Sequence, residues 1–69
     1  MENICQKFGA NVRKYRISAK LSQETLAEIA SLHRTYISDV ERGHRSISLG
    51  NIQKIATSLN IEVYQLFIF

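Results

Sequence analysis

Apolar residues recur every three or four positions along this 69-residue chain, and no stretch of four or more alternates as a half-buried strand would. That spacing restricts the chain to helices. It has no proline, repeat or low-complexity tract, and Gly9, Gly43 and Gly50 are scattered, so nothing marks a linker. One all-α domain, residues 1–69, built from five short helices, is expected.

The first helix places Ile4, Phe8, Val12 and Tyr15 on one face and ends near Ala19, with basic residues beside or opposite them. In "LSQETLAEIA", Ser22 suits an N-cap, Glu24 adds favourable charge at that end, and Leu26, Ile29 and Ala30 face inward. A turn through Ser31, Leu32 and His33 leads to a third helix from about Arg34 to Arg42, which Gly43 closes in a left-handed conformation. "SISLGNIQKIATSLN" repeats the logic: Ser48 caps, Leu49, Ile52, Ile55, Ala56 and Leu59 form the buried stripe, and Asn60 takes the left-handed stop.

The tail "IEVYQLFIF" is short and very apolar. Ile61, Val63, Leu66, Phe67, Ile68 and Phe69 cannot all find room inside one copy of so small a domain. The lone Cys5 permits no internal disulfide, so the core has to come from well-packed helices or be completed by a second subunit, and dimerisation is an expectation.

A hydrophobic content of 45% excludes a disordered chain, and no apolar run approaches the roughly 20 residues that cross a bilayer. The opening "MENICQKFGANVRK" lacks a basic stretch followed by an apolar one, so no secretory signal is expected. A soluble protein of a reducing cytoplasm fits. Net charge is +3, and Lys7, Arg13, Lys14, Arg16 and Lys20 lie together with no acid among them. Such a cluster meets phosphates or is merely solvated.

Catalysis finds little support. Cys5, His33 and His44 lack metal-site spacing, and there is no glycine-rich phosphate loop. Ser38, Asp39 and His44 are the residue types of a triad, but neighbours on a helix point about 100° apart. No enzyme activity, metal or cofactor is expected.

Counted from Gln23, Leu26, Ala30, Leu32, Ile37 and Val40 occupy apolar positions 4, 8, 10, 15 and 18 of a helix-turn-helix spanning about 23–42, and Ala27 at position 5 is small enough for a close crossing. With these, "LSQETLA…LHRTYISDVERGHRSISLGNIQKIATSLNI…LF" resembles the phage-repressor (Cro and cI, or XRE) type of helix-turn-helix protein over about residues 8–67. "RTYIS", then "ER" and a further Arg, is most similar to controller proteins of restriction-modification systems.

The resemblance implies a compact five-helix domain that binds a palindromic operator in double-stranded DNA as a homodimer, its third helix in the major groove. Arg34, Thr35, Ser38, Asp39 and Arg45 are the implied base contacts. Asp39 has the alternative of orienting an arginine, and Arg45 that of reaching phosphate. Gln23, Tyr36, Arg42, His33 and His44 are the implied phosphate contacts. Arg16 and Glu41 match a family ion pair that fixes the recognition helix. The segment 60–69 would dimerise through Ile61, Val63, Leu66, Phe67 and Phe69. RNA polymerase is a further candidate partner; a membrane or small-molecule ligand is not expected.

Lys20, Ser31 and His33 depart from the family pattern, which has Gly at the first two places and a capping Ser or Thr at the third. Phage or plasmid repressors, and an antitoxin-like protein-interaction module of the same fold, remain alternatives to the controller reading.

Overall fold

The computed structural model describes residues 3–69, and all regular structure among them is helical. Helix α1 runs Ile4–Ser18, α2 Gln23–Ala30, α3 Arg34–Glu41 and α4 Leu49–Ser58, followed by a 3₁₀ helix, Val63–Phe67. Four α-helices therefore replace the five expected. The tail is only five residues of tight 3₁₀ turn, a form that short segments favour over the costly first turn of an α-helix.

Side chains define the starts. Ser22 and Ser48 accept from the N–H groups of Thr25 (3.0 Å) and Asn51 (3.2 Å). At α1 a capping box unforeseen in the sequence pairs Asn3 and Gln6: each side-chain oxygen accepts from the other's backbone N–H at 3.0 Å. His33 makes no side-chain cap bond at the start of α3.

All four α-helices stop in the same way. Lys20, Ser31, Gly43 and Asn60 take positive φ of 61°, 58°, 75° and 58°. In each case the next residue donates back to the carbonyl five positions earlier: Leu21 to Arg16, Leu32 to Ala27, His44 to Asp39, Ile61 to Ala56. A left-handed residue other than glycine is strained by about 1 kcal/mol. At three of the four stops the residue that follows is apolar (Leu21, Leu32, Ile61) and packs against the core, which offsets the strain. Only α3 is followed by an exposed residue, His44, and only there is the turn a glycine.

Val12, Leu26, Ile37, Ile55 and Leu66 are fully buried where α1, α2, α3, α4 and the 3₁₀ helix meet. Gly9 lets α1 approach α3 so closely that a Cβ there would lie 2.1 Å from the carbonyl oxygen of Val40. Three residues expected inside are not. Ile4 is 60% exposed, Ile29 53% and Leu49 83%. Ile4 and Leu49 open their helices and project beyond the neighbouring elements, while small Ala27 and Ala30 make the inward contacts of α2 and leave Ile29 on a groove rim with Gln53, Lys54 and Thr57. No helix among the described residues is long and apolar enough to cross a membrane.

Candidate nucleic-acid interface

Helix α3 is fixed before its outer face is considered. Ile37 and Val40 are buried beneath it, and at its last turn the Glu41 side chain is only 2% exposed. Arg16 reaches it from α1 in a bidentate grip: Nε donates to Oε2 at 2.6 Å and Nη2 to Oε1 at 3.1 Å. The third guanidinium nitrogen donates to the carbonyl of Leu21 at 2.9 Å. Gln23 completes the shell, its Nε2 donating to Glu41 Oε1 at 3.0 Å. The ion pair expected of Arg16 and Glu41 is thus present, and it joins the starts and ends of three helices.

Gln23 was expected at a phosphate. In the structure its Nε2 donates to Glu41 Oε1, a carboxylate oxygen within reach.

Arg34 and Thr35, in the first turn of α3, are exposed, and Ser38 is half-buried one turn further along. With Ile37 and Val40 buried and Glu41 gripped at the last turn, these side chains line the opposite side of α3. His33 and His44 are exposed at the two ends of the helix. Asp39 is half-buried; its Oδ1 accepts from Arg42 Nη2 at 2.8 Å, and Arg45 Nη2 lies 3.6 Å from Oδ2. The hydrogen bond from Arg42, with the charges of Arg42 and Arg45, holds its carboxyl below the ordinary aspartate value of 3.8. The Arg45 guanidinium lies 4.8 Å from the centre of the Tyr36 ring, and the Tyr36 hydroxyl accepts from Asn51 Nδ2 at 3.0 Å. Asn51 carries no signal in sequence: it is one polar first-turn residue among several, and only the packing of α4 beside α3 gives it this task.

No group of three or more His, Cys, Asp or Glu side chains among the described residues could hold a metal ion.

The tail divides. Leu66, expected at a dimer interface, is fully buried in the core of its own chain, because the 3₁₀ turn folds it inward against α1 and α4. Ile61 is partly buried in the same core. Val63, Tyr64, Phe67, Ile68 and Phe69 stay exposed. Asn11, also missed in sequence, secures the segment by donating from Nδ2 to the carbonyls of Leu66 (3.0 Å) and Ile68 (3.1 Å). Phe67 packs on Phe8 with ring centres 5.1 Å apart, and Phe69 meets Phe67 edge-on at 6.3 Å.

This arrangement of α2, turn and α3 is that of a DNA-binding helix-turn-helix protein, and the chain belongs to that family: its model, described as Helix-turn-helix, matches residues 12–66. Among individual proteins, the chain is 50% identical over 68 residues to the control protein C.BamHI of Bacillus amyloliquefaciens, covering 97% of this chain and 84% of that protein. It is 52% identical over 64 residues to the control protein C.SmaI of Serratia marcescens, covering 93% and 76%. The crystal structure of the restriction-modification controller protein C.AhdI from Aeromonas hydrophila superposes with a TM-score of 0.90 at 51% identity, covering 91% of this chain and 96% of that one.

Proposed function

We propose that this protein is a sequence-specific regulator of transcription that binds a palindromic operator as a homodimer, and that it serves a restriction-modification system as a controller protein. The observation that carries the reading is a polar recognition face, Arg34, Thr35 and Ser38, on a helix locked by Arg16, Gln23 and Glu41. Its high identity to proteins named as control proteins supports the controller role.

In this reading α3 enters the major groove. Arg34 offers two donors to guanine O6 and N7, Thr35 its methyl to thymine or its hydroxyl to a base edge or phosphate, and Ser38 lets the helix approach closely. Arg45 extends the readout from the loop after α3. Arg42, His33, His44 and the N-terminus of α2 meet phosphates, which fix register. The Tyr36 hydroxyl can accept from Asn51 and still donate to a phosphate. Two copies pair through the exposed part of the tail, Val63, Phe67 and Phe69 with the rim of Ile61, which sets two recognition helices about one DNA turn apart, roughly 34 Å. RNA polymerase is a candidate partner at the promoter.

Selection from a random duplex pool, followed by gel-shift titration, tests this. The expected result is a two-fold symmetric consensus whose Arg34→Ala variant loses preference at one base pair per half-site, at a cost of roughly 1–3 kcal/mol per contact. A pool that yields no consensus would overturn the reading.

A further inference from the structure

Asp39 lies in the middle of the recognition surface, yet both its carboxylate oxygens face arginines of its own chain. Arg42 follows the last turn of α3 and Arg45 lies in the loop beyond Gly43, so one carboxylate ties helix to loop. Arg45 is held from its other side by the face of Tyr36, which Asn51 of α4 anchors in turn. The layering is consistent: the Asp39 side chain is 23% exposed, while those of Arg42 and Arg45 are 59% and 48% exposed. The acid sits beneath and the cations outside, whereas an acceptor for cytosine N4 has to present a free oxygen outward.

Resting on the DNA-binding reading above, we propose that Asp39 is a positioning residue that restrains Arg42 and Arg45, lowers affinity for DNA at large, and so sharpens discrimination in favour of the operator. An arginine that settles on a phosphate releases condensed counterions whatever the sequence. Here a phosphate must first compete with the Asp39 carboxylate for Arg42 and, more weakly, for Arg45. On a random duplex that competition subtracts from nearly all the binding there is. At the operator, base contacts from α3 hold the duplex in register, and the two guanidiniums are delivered from fixed positions with less freedom to lose. Specificity is a difference of two affinities, and Asp39 acts on the unwanted one.

The test compares wild type with Asp39→Asn on the duplex that wild type selects and on a scrambled duplex of equal length, across salt concentrations. The expected result is about three- to tenfold tighter binding of scrambled DNA with a salt slope steeper by about one to two, a smaller gain on the selected duplex, and an unchanged consensus with weaker bias. In an Arg42→Ala/Arg45→Ala background the same change should alter scrambled binding less than about twofold, since no guanidinium remains to be released. Two results would overturn the proposal: loss of preference at one base pair with scrambled binding unchanged, which makes Asp39 a direct reader, or a full gain in the arginine-free background, which makes it a plain charge effect. If wild type itself selects no sequence, the DNA-binding reading fails first and this inference falls with it.

Discussion

Glu41 is the residue on which the stance of α3 depends. Its buried carboxylate is matched by Arg16 and Gln23, so the cluster is neutral overall and its donors are satisfied. Glu41→Ala would leave the Arg16 guanidinium largely buried and unpaired and should cost about 3–5 kcal/mol in urea unfolding, more than replacing both partners together with apolar residues. Asp39 behaves differently because its partners, Arg42 and Arg45, are exposed. Its carboxyl titrates below the ordinary aspartate value, so its contribution to stability is complete above the unfolded-state pKa and is lost as pH falls through the folded one. Denaturation of wild type and Asp39→Asn should show a constant gap from about pH 5 to 8 that closes below about pH 4. The ion pair was expected only from a family resemblance, and nothing in the spacing of positions 16 and 41 predicts it. Gln23 as its third member was not foreseen, since in sequence an N-terminal glutamine reads equally well as a ligand for DNA.

Helix ends carry the clearest signals at the scale of elements. Ser22, Ser48, Gly43 and Asn60 all perform the capping roles that their side chains or backbone freedom suggest. Ser31 and Lys20 adopt left-handed backbone against preference, and the sequence explains why only once the apolar residue after each is seen to dock. Ser31→Gly should remove that strain and raise stability by about 0.5–1 kcal/mol in thermal unfolding. Gly9 was unreadable: in sequence it is a glycine within a helix, costing about 1 kcal/mol against alanine. In the fold it is the contact at which α1 crosses α3. Gly9→Ala should therefore lower stability by about 1–3 kcal/mol despite the gain in helix propensity, because the obstacle is the backbone of Val40 and Glu41, not a side chain that could swing aside. The same push would tilt α3, so DNA affinity should fall along with the melting temperature. The tail was legible as apolar but not as 3₁₀, because five residues contain too little periodicity to separate the two helix types.

On the scale of the whole molecule, the exposed tail and the buried Leu66 call for different experiments. Leu66→Asn would unfold the protomer, whereas Phe69→Ser with Val63→Ser should leave it folded and shift sedimentation equilibrium from dimer to monomer, with much weaker operator binding. Neutralising about six phosphates per dimer would give a log–log salt slope near −5 in gel-shift titration. Helix α1 links these two functions. Through Arg16 it holds α3, and through Phe8 and Asn11 it holds the tail that would meet a partner copy. A single 15-residue helix, unbroken from Ile4 to Ser18, therefore lies between the reading head and the axis of the proposed pair. The expected consequence is intolerance of phase: one base pair added between half-sites turns the second by about 34° and moves it about 3.4 Å, which an unbroken helix between the two contacts would resist following. Spacing, as much as base sequence, would then be part of the address that this protein reads.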